Sequence, residues 1–240
     1  MQLDPKSYLS LHLQLKNEIE RKIIARDYVD QIPSERELME TYDTSRSTVR
    51  KAIGILVREG VLEKRHGKGT YISIKPIHNW LGHLSSTTET IQNLGMKPGA
   101  ELISYKRMKP SAHIQHITGL EEVFFIKRIR YADRIPVGVE CHYYPLKIGE
   151  ALMAYDLDKV TLYDLVENDL GIQFIEAEQK ISSGPIPTGF GKYLNIEENT
   201  NVLKADRIIK GQAGEVIEFE QAFYRSDIYS FEINLSRKNG

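Results

Sequence analysis

The chain has 240 residues, 41% of them hydrophobic and 27% charged, with a formal net charge of −1 and one cysteine, Cys141. This is enough apolar material for one large or two smaller packed domains, and a lone cysteine excludes an internal disulfide framework and suits a reducing compartment. No apolar run approaches the roughly 18 residues a membrane helix needs, and no secretory leader is visible, so a cytoplasmic protein with no membrane partner is expected.

The charge is unevenly spread. Met1 to Lys75 holds 14 Lys plus Arg against 11 Asp plus Glu, and the remainder holds 18 against 22. From Thr44 to Lys75 only Glu59 and Glu63 oppose 8 basic residues. A basic head on a mildly acidic body points to nucleic acid at one end and a different task at the other. Leu11, Leu15, Ile19 and Ile23 form one stripe at helical spacing, which predicts a helix ending near Asp27 and Tyr28. Ser34-Glu35-Arg36-Glu37 is a capping box opening a short second helix, with Leu38, Met39 and Tyr42 as its buried positions. Asp43-Thr44-Ser45 makes a turn, and Ser45 caps a third helix. There Val49, Ala52, Ile53, Leu56 and Val57 share one face, while Ser47, Arg50, Lys51, Gly54 and Arg58 lie opposite. Val61-Leu62 and Thr70-Tyr71-Ile72 read as strands around a glycine-basic turn, Lys64-Arg65-His66-Gly67-Lys68-Gly69. A charged helix face alone is usually just solvated, but these features in this order make a winged helix-turn-helix that reads double-stranded DNA.

Those residues resemble the GntR family of bacterial transcription regulators. The matching text is Ile32 to Leu38, Thr44 to Ala52, Glu59 to Leu62 and His66 to Tyr71. The resemblance implies a homodimer, with Arg36, Arg46 and Arg50 at phosphates and bases, Ser45, Ser47 and Thr48 on the DNA, and Gly67 at a wing tip in the minor groove. Lys51, His66 and Lys68 complete the expected DNA contacts, because arginine can grip guanine in a bidentate manner and hydroxyls or lysines suit phosphates.

Past a Pro76-containing linker over residues 74–79, the text mixes strands and helices. Glu122 to Ala132, Pro136 to Tyr144, Val202 to Lys210, Val216 to Tyr224 and Tyr229 to Leu235 read as strands, and Ile148 to Met153 and Leu162 to Asn168 as helices. Neighbouring hairpins with few helices predict an antiparallel α+β domain over residues 80–240, behind a winged helix over residues 1–73. Alternation puts Arg128 with Arg130 on one face, and Glu218, Glu220, Ala222 and Tyr224 on one face. Such a face is either solvated or, if helices cover it, a polar pocket.

Ser86-Thr87-Thr88-Glu89, Lys127 to Asp133 with Pro136, Glu140 with Tyr143-Tyr144-Pro145, Thr161 to Leu165, and Glu218 to Arg225 look like the UTRA ligand-sensing domain of HutC-like members. The resemblance implies a chorismate-lyase-like fold that binds a small-molecule effector, a sugar phosphate or similar polar metabolite. Carried over, its contacts are Ser86, Thr88, Arg128, Arg130, Glu140, Thr161, Tyr163, Glu218 and Tyr224. Two departures stand out: Arg134 follows Asp133 where Gly is frequent, and Pro185 to Lys192 is poor in alanine where a helix over the pocket is usual.

Catalytic and cofactor signatures are missing: there is no G-x-S-x-G, P-loop or G-x-G-x-x-G, and His113-x-x-His116 lacks further ligands at metal spacing. A repressor whose operator affinity follows a bound effector is expected, without cofactor or enzymatic activity. The alternatives are a body that retains lyase chemistry and a ligand-independent DNA binder.

Overall fold

In the structure, a computed structural model that describes residues 3–5, 7–24, 27–73 and 76–237, the chain divides into two units, Met1–Lys75 and Pro76–Gly240. Residues 74 and 75 of the expected linker, and the chain ends 1–2 and 238–240, lie outside the described residues.

In the first unit α1 (Leu11–Ile24), α2 (Glu35–Tyr42) and α3 (Arg46–Arg58) precede a hairpin of β1 (Leu62–Arg65) and β2 (Gly69–Ile72). Reciprocal capping starts α2: the Glu37 N–H donates to Ser34 Oγ at 3.3 Å, and the Ser34 N–H donates to Glu37 Oε2 at 2.8 Å. Asp43 stops it in the left-handed region at φ 43°, which short polar side chains tolerate. Leu15, Ile19, Leu38, Val49, Ala52, Ile53 and Leu56 are fully buried together, so the apolar stripes of three helices close one core. The hairpin is longer than the apolar residues alone predict, because Glu63–Arg65 pair with Gly69–Tyr71 although their side chains are exposed. Ile32 and Asp30 extend the pairing through backbone bonds to Thr70 and Ile72.

The second unit is built on six antiparallel strands in the order β4-β5-β6-β9-β8-β7. These are β4 (Pro98–Met108), β5 (Val123–Ala132), β6 (Ile135–Tyr144), β7 (Glu176–Pro185), β8 (Asn201–Lys210) and β9 (Val216–Tyr224). Residues 77–79, expected in the linker, instead belong to β3 (Ile77–Trp80), which pairs in parallel with β10 (Tyr229–Glu232). One face of the large sheet buries Val139, Cys141, Tyr143 and Phe219 with Ile114 of α5 (Ala112–Thr118) and Leu194 of α8 (Gly191–Leu194). The other packs Phe124, Ile126, Tyr144 and Ile209 against Leu152 of α6 (Leu146–Leu152) and against Leu162 of α7 (Leu162–Asp164). The helix expected over 162–168 keeps α geometry only to Asp164 and widens to a π turn over Leu165–Asp169. The 185–192 stretch supplies just the start of one helical turn. Ile186 and Leu194 pack beside Val139 and Cys141, on the face opposite Arg128 and Glu140, so this segment is no pocket wall.

The β5–β6 hairpin turns on Asp133 and Arg134, with φ of 48° and 70°. Two consecutive positive φ values define the turn in which glycine is favoured second. Arg134→Gly should raise the stability of the chain by about 1 kcal/mol, read as a higher urea midpoint at unchanged slope.

Candidate functional site

Two surfaces of different physics emerge, one on each unit. In the first unit Ser45 caps α3, accepting from the Thr48 N–H at 3.3 Å. Ser45 Oγ also lies 2.9 Å from Ser47 Oγ and 3.0 Å from Thr48 Oγ1, so three hydroxyls cluster at the helix start. Arg46, Arg50 and Lys51 are exposed, and among the described residues none of them enters an ion pair. Arg36 is 85% exposed and held by Glu40 at 2.9 Å. His66, Gly67 and Lys68 form the hairpin turn, with Gly67 at φ 71° and Gly69 at φ 115°. Gln31 Nε2 donates to the Lys68 carbonyl at 3.1 Å, and a Cβ on Gly69 would strike that amide, so glycine lets Gln31 brace the turn. Exposed cations and clustered hydroxyls on a capped helix, beside a braced basic hairpin, are what a polyanion with readable edges requires.

In the second unit, covered by helices, alternation brings Arg128 and Arg130 of β5, Glu140 and His142 of β6, Glu218 and Glu220 of β9 and Arg207 of β8 to one face. All are at most 7% exposed. A cross-strand row runs His142, Glu220, Arg207, Gln179 from β6 to β7. Arg207 donates to Glu220 and to the Ser85 carbonyl. His142 Nδ1 lies 2.7 Å from Glu218 Oε1, which also accepts from the Tyr144 hydroxyl at 2.6 Å. Glu140 accepts from the Thr87 hydroxyl at 2.5 Å and the Tyr224 hydroxyl at 3.0 Å. Arg130 Nη2 donates to Thr88 Oγ1 at 2.6 Å and its Nε lies 3.6 Å from Glu140. Arg128 donates to the carbonyls of Leu157 and Val160.

Burial opposes every charge here, and the neighbours decide the outcome. It raises the Glu140 carboxyl, but Arg130 and His142 overrule it and hold the group far below the usual carboxylate range. It lowers the His142 imidazolium, yet the carboxylates of Glu140 and Glu218 carry it up to about 9. Arg128 is pushed down to about 10 by burial and by Arg130. Burial lifts the Glu220 carboxyl despite Arg207. Three guanidiniums and an imidazolium thus face three carboxylates, leaving an excess of positive charge. Among the described residues, Arg128 Nε, Arg130 Nε, Arg207 Nε and the Tyr163 hydroxyl have no hydrogen-bond partner.

α4 (Thr87–Asn93) starts over this cluster through a second capping box, Ser86 with Glu89. A chamber of about 340 Å³ opens beside it, lined by Thr88, Gln92, Arg130, Lys159 and Thr161. It narrows over Arg128, Glu140, His142 and Tyr163. A further chamber of about 300 Å³ begins past Arg207, between Trp80, His83 and Gln179.

Of the residues singled out from sequence, Ser86, Thr88, Arg128, Arg130, Glu140, Thr161 and Tyr163 line these cavities. Ser86 does so with its hydroxyl already committed to Glu89. Glu218 and Tyr224 do not line them; they lie behind, bonded to His142 and Glu140, and Tyr224 stacks on Tyr229 at 4.1 Å. Glu220 is placed by alternation on the right face but is not among the carried-over contacts, and Thr87, His142 and Arg207 were missed, although His142 follows Glu140 by the two residues that keep a strand side chain on the same face. Arg207 is the lone charge in an alternation with Leu203, Ala205 and Ile209. Glu140, His142 and Glu220 also offer ligand atoms within 4.8 Å of one another, but Arg128, Arg130 and Arg207 crowd the same space, which disfavours a cation. His113 and His116 are exposed on α5.

The two units match two family descriptions: residues 11–72 match the gntR family of bacterial regulatory proteins, and residues 93–230 match the UTRA domain. The chain is 31% identical over 227 residues to the HTH-type transcriptional repressor NagR of Bacillus subtilis, covering 93% of this chain and 92% of that one. It is 25% identical over 237 residues to the mannosyl-D-glycerate transport/metabolism system repressor MngR of Escherichia coli, covering 95% and 97%. The crystal structure of PhnF from Mycobacterium smegmatis has the same fold, with a TM-score of 0.64 at 24% identity over 93% of this chain and all of that one.

Because His142 is held above its unfolded value of 6.5, its contribution to stability is complete below pH 6.5 and is lost as pH rises through about 9. The urea midpoint should fall across that window, and His142→Gln should flatten the fall. An unchanged slope in the variant would show that other groups set it.

Proposed function

The chain belongs to the GntR family of bacterial regulatory proteins, with a UTRA body, and from this we propose that it is a homodimeric repressor released or recruited by an anionic, hydroxyl-rich effector, a sugar phosphate. The regulatory role and the two-domain build come with the family, and the body senses rather than catalyses, like the regulators it resembles. That sets aside the lyase alternative.

The excess positive charge at the buried cluster carries the effector reading. Guanidinium N–H groups without partners, next to Lys159 and the hydroxyls of Thr88 and Thr161, hold a dianionic group through charge-assisted bonds. The carboxylates of Glu140 and Glu220 accept from ring hydroxyls. Arg130 reaches both the larger chamber and the cluster, so it is the hinge of the site.

On the head, the start of α3 from Ser45 to Lys51 enters the major groove, and His66, Gly67 and Lys68 reach the minor groove or the phosphates, with Arg36 supporting. Two heads in a dimer must meet half-sites about 34–36 Å apart. A small change in their separation on effector binding therefore decides whether both contacts form together.

An operator selected from random duplexes serves as the probe for the head. Arg46→Ala should cost about 1–3 kcal/mol and relax sequence preference, whereas Lys68→Ala should weaken every duplex alike and lower the salt slope by about one. Equal loss on all duplexes for Arg46→Ala would move that residue to the phosphates. For the body, hexose 6-phosphates should raise the melting temperature of the full chain and shift its operator affinity, and unphosphorylated hexoses should not. Arg130→Ala should abolish the shift while sparing effector-free operator binding. Equal response to both sugar sets overturns the phosphate reading.

A further inference from the structure

The chamber past Arg207 lies outside the effector cluster. It measures about 300 Å³, the lower end of the range for small-ligand pockets. The neck between it and the chamber at Arg130 measures about 10 Å³, the room of one water at most, so no ring threads from one chamber into the other. Much of its wall is the end of β3 and the turn that follows. The Leu81 N–H donates to the Glu232 carbonyl at 2.8 Å and ties that turn to β10. Trp80 folds back over Gly82, where a Cβ would overlap its ring, and lies 5.1 Å from the His83 ring at an angle of 54°. The indole is left 47% exposed beside the chamber.

The wall chemistry is one-sided. Asp158 lines the near chamber, and Glu140 and Glu220 line the neck, but no carboxylate lines the far chamber. Two of its lining residues carry donors without acceptors: among the described residues, Gln179 Nε2 and Arg207 Nε are buried and have no hydrogen-bond partner. A buried donor left this way costs about 1–3 kcal/mol, and more when it is charged, so both gain from an acceptor. The charge of Arg207 is already partly offset, because Nη2 donates to Glu220 and Nη1 to the Ser85 carbonyl. That leaves enough for one negative charge and too little for a dianion. Leu81, Leu84 and Ala177 make the rest of the wall apolar.

We propose that this chamber is a second ligand site, separate from the effector cluster, for a small monocarboxylate with a flat apolar body. The carboxylate accepts from Arg207 and Gln179, and the flat body lies against the Trp80 indole, where an aromatic face is the natural contact. The site goes beyond the effector reading and does not depend on it. Gln179 lines this chamber and neither the neck nor the near chamber, so it separates the two sites experimentally.

Trp80 is the only tryptophan of the chain, so its fluorescence reports on the chamber directly. Benzoate titrated into the full chain should change Trp80 emission saturably, and benzamide, which has the same shape without the charge, should not. Truncating Arg207 would leave Glu220 buried and unpaired, so the variants are made elsewhere in the wall. Gln179→Glu sets the chain's own carboxylate beside Arg207 and should weaken benzoate by about tenfold or more. Ala177→Leu, at an exposed position, should fill the chamber and weaken benzoate without a change of charge. Thermal melting by circular dichroism checks that each variant folds, and if Gln179→Glu does not, Ala177→Leu decides alone. The absence of a saturable change, an equal response to benzamide, or unaltered benzoate affinity in a folded variant overturns the site.

Discussion

Much of the second unit depends on burying many charges on one sheet face. Three guanidiniums, three carboxylates and an imidazole sit almost fully out of water. Each would be costly alone, and each is tolerable because a group of opposite charge lies beside it on the same face, directly across the sheet or on the diagonal. The requirement reaches outward from the sheet. α4 must begin where Thr87 and Thr88 can meet Glu140 and Arg130, and the loop before α7 must turn its carbonyls toward Arg128. Gly138 is part of the same constraint, since a Cβ there would overlap the Tyr224 ring whose hydroxyl serves Glu140.

The head obeys the reverse rule. Its apolar residues are spent on a single core shared by three helices, and the cations of α3 and of the β1–β2 hairpin stay in water, where they are cheap to keep and ready to be neutralised. A surface for a polyanion gains from loosely held charge, because released counterions supply much of the affinity. A pocket for one small anion gains from fixed charge, because orientation is what it must provide. The two units therefore use arginine in opposite ways, exposed at Arg46 and Arg50 and buried at Arg128, Arg130 and Arg207.

The head was legible because its signals are local. A capping box, a helix stripe and a glycine-basic turn each lie within a few residues, and the structure places Ser34, Ser45 and Gly67 in those roles. Strands β5, β6, β8 and β9 were legible because one or both faces are buried and the text is rich in β formers. β4 and β7 were not, since β7 is exposed on both faces and β4 is interrupted by a bulge, and neither alternates cleanly. In the pocket, residues on a recognisable motif were found, while His142 and Arg207 were missed because their importance comes from register between strands far apart in sequence. For the same reason Glu218 was taken for a lining residue. Its face was read correctly, but its depth behind His142 is a tertiary fact.

The row from His142 through Glu220 and Arg207 to Gln179 has a bearing on how this protein can change over generations. Altering one member leaves its neighbour buried beside the wrong charge, so variation there must come as matched pairs of substitutions. Ser47, Arg50 and Lys68 have no such neighbours and can be exchanged singly. Change at the exposed positions of the head is therefore open to single steps, whereas change within the buried row must cross a valley of unstable intermediates.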